Sequence, residues 1–88
     1  MHVTYDGDKD AANADKHGVS LALAADLEWD SALVWPDVRH VYGEPRQCGL
    51  GYIGRRLYAV AFVDRADGRR IISLRKANQR EERIYAQA

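Results

Sequence analysis

Three β-prone runs follow one another in the second half of the sequence, and they constrain the fold more than any other feature. They read "QCGLGYI", "RLYAVAFVD" and "RRIISLRK", separated only by "GR" and by the turn "RADGR". Asp67-Gly68 is a strong hairpin signal, and such short connections join antiparallel strands. The middle run is apolar at nearly every position from Leu57 to Val63, so we expect a central strand buried on much of both faces.

Strand alternation decides which side chains of the third run share a face, because successive residues point to opposite sides of a pleated strand. Ile72 and Leu74 are therefore predicted to point one way. Ile71, Ser73 and Arg75 are predicted to point the other way. If Ile72 and Leu74 face the helices, Arg75 lies on the open side of the sheet.

The start of the sequence predicts a short strand and a helix. "VTY" is β-prone and typical of an edge strand. Asp8 can cap a helix through "KDAANADKH", because its carboxylate accepts from the free N–H groups of the first turn. We expect this helix to end at His17, where Gly18 supplies the left-handed conformation.

A second helix and another strand are predicted next. Ser20 is placed to cap "LALAADLEW", in which Leu23 and Leu27 fall on one face at the i, i+4 spacing. "ALVW" then predicts a strand that ends at Pro36. The polar segment "PDVRHVYGEPR", with its glycine and two prolines, predicts a loop.

The last predicted element is a short helix, "QREERIYA". Asn78 precedes it and Glu81 lies three residues further on, which is the pattern of a capping box. Helices first, then an antiparallel meander and a closing helix indicate an α+β fold with the N-terminal helices packed on one face of the sheet. At 88 residues and 47% hydrophobic composition, we expect residues 1–88 to form one domain.

The composition argues against several other classes of protein. The single cysteine, Cys48, excludes an internal disulfide framework. No apolar stretch approaches the roughly 20 residues needed to cross a bilayer, and "MHVTYDGDKD" lacks the order of a secretory signal, so we expect a cytoplasmic protein. His2, His17 and His40 are scattered without metal-binding spacing, so neither a metal nor a cofactor is implied.

Charge is divided unevenly between the two halves of the sequence, although the formal net charge is zero. Residues 1–44 carry three basic groups against nine acidic ones, a net charge of −6, whereas residues 45–88 carry ten against four, a net charge of +6. Such asymmetry suggests an anionic partner for the basic half. The alternative is that the halves neutralise each other across the fold.

Three blocks follow one another along the sequence: "YDGDKDAANADKHGVSLALA", "RHVYGEPR" and "IISLRKANQREERIY". In this order they resemble the opening helix with its "KHGVSF" signature, the central stretch and the ending of the BrnT family of small toxins from bacterial type II toxin–antitoxin modules. The resemblance implies a RelE-like fold and a ribonuclease that inhibits translation by cutting RNA. It also implies neutralisation by a BrnA-type antitoxin, and a complex that binds operator DNA through that antitoxin.

Arginine is the residue type best suited to the chemistry of such an enzyme. Metal-free RNA cleavage uses the ribose 2′-OH as nucleophile, and the protein must stabilise extra negative charge on the phosphate. The planar guanidinium donates two parallel hydrogen bonds and stays charged near pH 7. Arg75 is the first candidate, with Arg46 and Arg56 in support; Arg56 lies in a strand-to-strand turn that could approach a phosphate.

A titrating group is needed to move protons during cleavage. His17 titrates near neutral pH, and Asn13 and Lys16 lie close to it on the predicted helix, as candidates for substrate binding. Alternatively, His17 only interacts with the carbonyl groups at its helix C-terminus. His40, in the loop, is a further candidate for substrate contact.

Three more residues are candidates for the catalytic site. Glu44 is a possible general base, or alternatively the salt-bridge partner that holds Arg46. Lys76 is expected to point away from Arg75, where it either neutralises a phosphate or solvates the sheet edge. Tyr85 lies on the last helix, and RelE-like ribonucleases often use C-terminal residues; core packing of its ring is the alternative.

Two other functional classes stay open at this point: a non-catalytic nucleic-acid-binding module, and a toxin remnant that only binds its antitoxin. A binding sheet should expose aromatic side chains for base stacking, and Tyr58 and Phe62 are predicted to share a face. The acidic first half, with Trp29 and Trp35, is a candidate antitoxin interface.

Overall fold

A five-stranded mixed sheet with helices on both sides forms the structure, a computed structural model that describes residues 2–39, 41 and 43–88. The spatial order of the strands is β1-β5-β4-β3-β2, antiparallel from β2 to β5, with β1 parallel to β5. The predicted α+β class is confirmed. The elements are β1 (Val3–Thr4), α1 (Gly7–His17), 3₁₀ helices Leu21–Asp26 and Trp29–Ser31, β2 (Leu33–Pro36), β3 (Gln47–Ile53), β4 (Arg56–Arg65), β5 (Gly68–Lys76) and α2 (Gln79–Ala86).

The predicted meander is present, and β4 is the central strand. The hairpin between β4 and β5 closes with Arg65 opposite Gly68. Gly68 has a φ of 132°, and a Cβ at this position would collide with the carbonyl oxygen of His2, which accepts a hydrogen bond of 3.0 Å from Arg69 N–H. Glycine is therefore required where β1 joins the sheet.

Helix α1 begins two residues earlier than predicted. Asp6, not Asp8, is the N-cap; its backbone is extended and its carboxylate accepts from Lys9 N–H at 3.0 Å. Asp8 lies instead inside the first turn, where a negative charge is favourable to the helix dipole. The helix ends at His17, with Gly18 in the left-handed conformation as predicted.

The second predicted α-helix is a 3₁₀ helix. Ser20 caps it as predicted, but the buried residues are Leu21, Ala24 and Leu27, rather than a face built on Leu23 and Leu27. A 3₁₀ helix has three residues per turn, so every third side chain faces the core. Asp10 fixes the start of this helix, because its carboxylate accepts from Leu21 N–H at 2.7 Å.

The alternation of side chains along β5 differs from the prediction because β5 contains a β-bulge at Ile72. Ser73 pairs with Ala61 and Ile71 pairs with Phe62, so Ile72 has no partner in the register. The extra residue resets the alternation. Ile71 and Leu74 therefore lie on the same, helix-covered face, and the prediction that Ile72 occupied it was wrong.

The two faces of the sheet are covered differently. One face packs against α1 and the first 3₁₀ helix, forming the main core of Leu21, Ala24, Leu27, Tyr58, Val60, Phe62, Ile71 and Leu74. The opposite face carries a smaller cluster of Leu50, Leu57 and Ala77, against which Tyr85 of α2 packs. Because α2 is short, part of this second face stays uncovered. Among the described helices, none has the length and apolar character needed to cross a bilayer.

Two polar side chains support the main core. The side chain of Asn13 in α1 donates to the carbonyl oxygen of Leu74 at 2.8 Å and accepts from the Leu74 N–H at 3.1 Å. Asn13 thus binds the backbone of β5 beyond the two residues of β5 that pair with β1. The Arg69 guanidinium lies over both the Trp29 and the Phe62 ring, 4.7 and 4.6 Å from their centroids, and also pairs with an aspartate of β4. Both interactions tie the helices to the sheet.

Candidate active site

A cleft of about 570 Å³ opens on the uncovered part of the second sheet face. The pairing register places Trp35, Cys48, Ala61 and Ser73 in one row across four strands. Three of these four side chains are small, and this leaves space above the sheet. The lining comes from residues 35–39, from the sheet residues Cys48, Gly49, Leu50, Ala59, Val60, Ala61, Ser73 and Arg75, and from Asn78, Arg80, Glu81 and Ile84 around the start of α2.

Arg75 lies in this cleft, on the face that the sequence predicted. Its Nη1 and Nη2 donate to Oε1 and Oε2 of Glu81 at 2.7 and 2.8 Å, and Nη1 also donates to the carbonyl oxygen of Lys76 at 3.3 Å. These bonds hold the guanidinium plane in one orientation. Within the described part of the chain Arg75 Nε makes no hydrogen bond, so the Nε–H of the guanidinium is left to donate to a ligand.

Glu81 has two roles at the start of α2. Its Oε1 accepts from Asn78 N–H at 3.0 Å while the Asn78 side chain accepts from Glu81 N–H at 2.8 Å, which is the predicted capping box. The hydrogen bonds from Arg75 lower the pKa of Glu81, and the same bonds raise the pKa of Arg75. The pair is therefore fully charged at neutral pH.

Asp37 and Arg39 form a second pair in the cleft, which the sequence reasoning missed. The Asp37 side chain is only 2% exposed, and its two oxygens accept from Arg39 Nε and Nη2 at 2.9 and 2.8 Å. Arg39 itself is largely exposed, so a buried carboxylate orients a solvent-accessible cation. An acid two residues before an arginine in a polar loop is ordinarily solvated, so no sequence signal marked this pair.

Arg80 is the third cation of the cleft, and Cys48 lies on its floor. Arg80 is exposed in the first turn of α2, and its side chain lines the cleft. Burial raises the pKa of the Cys48 thiol, so at neutral pH the thiol stays protonated and is a poor nucleophile.

Glu44 and Arg46 lie outside this cleft lining. Glu44 pairs with Arg65 at the end of β4, and the hydrogen bonds from Arg65 lower the pKa of Glu44. The carbonyl oxygen of Arg46 accepts from Asp37 N–H at 2.9 Å, which extends the strand pairing into the loop. The ion pair of Glu44 in the structure is with Arg65, not with Arg46, the partner in one of the two alternatives for Glu44.

The predicted residues of α1 lie on the other side of the sheet. Asn13 is buried, and its amide also donates to the carbonyl oxygen of Val19 at 3.0 Å, so its polar atoms serve the packing of α1 rather than a ligand. Lys16 is exposed and His17 is half-buried at the end of the helix. The sheet separates this group from Arg75, and the predicted His17–Asn13–Lys16 face does not join the cleft.

Three further predicted residues, Arg56, Tyr85 and Lys76, lie outside the cleft lining. Arg56 donates from Nη2 to the carbonyl oxygen of Ala77 at 2.7 Å and holds the connection between β5 and α2. Tyr85 donates its hydroxyl to the carbonyl oxygen of Ser31 at 3.0 Å. Lys76 is exposed at the end of β5, pointing away from Arg75 as expected. His40 lies outside the described residues.

The aromatic residues of β4 do not offer a surface for base stacking. Tyr58 and Phe62 share a face, as predicted, but both are buried in the main core. Trp29 packs edge-on against Phe62 and donates its indole N–H to the carbonyl oxygen of Ala24, so it belongs to the core as well. Trp35 is exposed beside the cleft.

Comparison with known proteins adds one finding to this geometry. The model of a family described as "Ribonuclease toxin, BrnT, of type II toxin-antitoxin system" matches residues 5–81 of the 88. The matched segment includes every strand from β2 to β5 and the start of α2 as far as Glu81. A search of curated proteins gave no match.

Proposed function

Since the chain belongs to the BrnT family of ribonuclease toxins from type II toxin–antitoxin systems, we propose that it cleaves RNA at the cleft around Arg75. In this proposal the ribose 2′-oxygen attacks the adjacent phosphorus and the bond to the 5′-oxygen breaks. The products are a 2′,3′-cyclic phosphate and a free 5′-hydroxyl, and the departing 5′-oxygen takes its proton from water. No metal takes part in the reaction.

The orientation of Arg75 is the observation that carries the proposal. Its guanidinium is held by Glu81 through two short hydrogen bonds, and Arg75 lines a cleft whose lining also includes Arg39 and Arg80. Oriented donors that are already in place stabilise developing negative charge without reorganising during the reaction. Three arginines around one cleft supply such donors for the phosphate of a single phosphodiester.

The proton of the 2′-OH passes, in our proposal, to a carboxylate of the same cleft. Asp37 and Glu81 are the acidic residues in its described lining. Each is already hydrogen-bonded to an arginine, so a phosphate that binds the arginine also approaches the carboxylate. His17, on the far side of the sheet, is not part of this mechanism.

The partners follow from the family membership. A toxin of a type II system has an antitoxin, and we propose that this antitoxin is of the BrnA type and connects the complex to operator DNA. We place the reaction in the cytoplasm, where cleavage of RNA inhibits translation.

The test is cleavage of a 5′-labelled RNA by the purified protein in the presence of EDTA. Arg75→Ala should reduce the rate at least about hundredfold, the usual effect of removing one preorganised donor. Arg83→Ala, which removes an exposed arginine of α2 outside the cleft lining, is the matched control and should leave the rate unchanged. Equal rates for wild type and Arg75→Ala would refute the assignment, and no cleavage by the wild type under any condition would support a toxin remnant.

A further inference from the structure

Trp35 is a large aromatic side chain that the fold leaves without a partner. It is 39% exposed and lines the cleft. Among the described residues its ring contacts no other aromatic ring and no cation, whereas Trp29 packs edge-on against Phe62. Its indole N–H also makes no hydrogen bond within this part of the chain, in contrast to that of Trp29. The face and the edge of the Trp35 ring are therefore available to a ligand in the cleft.

Trp35 and Arg75 border the cleft from opposite sides of the same sheet face. The row that begins at Trp35 continues through Cys48, Ala61 and Ser73, and Arg75 follows Ser73 by two residues along β5. Strands β2 and β5 are three strand spacings apart, which is about 14–15 Å across the sheet. Because the side chains between them are small, the two long side chains enclose one space of about 570 Å³. This volume lies within the range of about 300–1,000 Å³ that is usual for small-ligand sites.

A flat aromatic face on one side and a guanidinium on the other match the two ends of a nucleotide. The base of a nucleotide stacks on an aromatic side chain, and its phosphate accepts hydrogen bonds from an arginine. Bases of single-stranded RNA are free to leave their own stack and bind in this way.

We infer that Trp35 stacks on the base of a nucleotide that adjoins the scissile phosphate held by Arg75. The identity of this ligand rests on the proposed function, because cleavage at Arg75 is what brings RNA into the cleft. Every base has a π-face, so the stack binds the strand without selecting one base. Its role is to fix the nucleotide whose phosphate Arg75 contacts.

Binding is measured by titration with a short RNA in which fluorine replaces every 2′-hydroxyl, so that no 2′-oxygen is present to attack. Trp35→Ala should weaken binding about fivefold to hundredfold, the usual effect of removing one base–aromatic stack. Trp35→Phe keeps a ring and should retain most of the affinity, whereas Trp35→Leu keeps only apolar bulk and should bind as weakly as Trp35→Ala. Val41→Ala changes an exposed apolar residue outside the cleft lining and should bind like wild type. Circular dichroism and thermal melting confirm that the variants are folded.

The stacked base is identified by placing an abasic nucleotide at each position of that RNA in turn. At one position the abasic nucleotide should weaken binding to wild type, while Trp35→Ala should bind the intact and the abasic RNA equally. Losses that simply add at every position would overturn the inference, because Trp35 would then act without contacting a base. Binding of Trp35→Leu as tight as that of wild type would overturn it too.

Salt dependence separates stacking from charge. Trp35→Ala removes no charge, so the slope of log affinity against log salt concentration should equal that of wild type. Arg75→Ala should make the slope shallower by about 0.7, the value for one phosphate contact to a single strand. A changed slope for Trp35→Ala would mean that the substitution disturbs the arginines of the cleft instead of removing a stack, and would overturn the inference.

The outcome for RNA cleavage is read separately, with unmodified RNA. If Trp35 and one base are coupled in binding, but wild type and Arg75→Ala cleave RNA equally or not at all, the proposed ribonuclease site fails and the Trp35 stack stands. If cleavage depends on Arg75 while Trp35→Ala binds and cleaves like wild type, the stack fails and the ribonuclease stands. A wild-type protein that does not bind the fluorinated RNA would also overturn the stack.

Discussion

Replacing Asn13 by alanine should destabilise the fold without touching the cleft. The substitution removes three hydrogen bonds, two to the backbone of Leu74 and one to the carbonyl oxygen of Val19. Leu74 is fully buried, so its N–H and C=O groups lose their partners away from water. Each ordinary hydrogen bond contributes about 1 kcal/mol, and each unsatisfied buried group costs about 1–3 kcal/mol, so we expect a loss of about 2–4 kcal/mol in the free energy of unfolding.

Such a loss is large for a protein of this size. Small domains are stable by only about 5–15 kcal/mol, and 1 kcal/mol shifts the Tm of a 60–100-residue domain by about 4–8 °C. Thermal and urea unfolding of Asn13→Ala should therefore show a Tm lower by roughly 10–30 °C. Asp15→Ala, an exposed substitution on the same helix, is the control and should stay within about 0.5 kcal/mol of wild type. A stable Asn13→Ala variant with reduced RNA cleavage would refute this reasoning and return Asn13 to the substrate site.

Two other substitutions test the interactions around the cleft and the core. Glu81→Gln keeps the capping box, since glutamine also serves at that position, but it removes the negative charge that holds Arg75. The rate of RNA cleavage should therefore fall at least about tenfold. The control, Glu82→Gln, should leave the rate unchanged. Because the pKa of Glu81 is lowered from its ordinary 4.5 in the folded protein, the stability that its charge contributes is present above pH 4.5 and is lost as the pH falls through the lower, folded value. The Tm of wild type should thus exceed that of Glu81→Gln at pH 7 and the difference should shrink towards pH 3; a constant difference would contradict the charge argument. Arg69→Ala should lower the free energy of unfolding by about 1–3 kcal/mol, because the guanidinium makes cation–π contacts with both the Trp29 and the Phe62 ring. Arg69→Lys should restore only part of this loss in urea unfolding.

The sequence predicted the elements whose signals are local. The meander, the strand bounds of β3 and the capping box of α2 each depend on residues close together in the chain, and all three were confirmed. The bulge at Ile72 could not be predicted in this way, because it depends on how β5 matches β4 along its length. One inserted residue was enough to move Ile71 to the opposite face.

The candidate site was predicted only in part for the same reason. Arg75 could be placed on the open face because it follows the buried Leu74 directly, whatever happens earlier in the strand. The companions expected for it, Arg46 and Arg56, are not among the residues that line the cleft. Arg39 and Arg80 take their place, since the chain brings a loop and a helix start over the same row of small side chains.

The Glu81 carboxylate binds both Arg75 and the backbone at the N-terminal cap of α2, so a change at Arg75 also changes the hydrogen bonding of that backbone. Asn78 N–H is bonded to the same Glu81 oxygen that receives Arg75 Nη1. Any ligand that draws the guanidinium away leaves that oxygen to the amide alone, and any loosening of the helix start frees the guanidinium. The amide resonance of Asn78 and its rate of hydrogen exchange therefore register occupancy of the cleft from within the main chain.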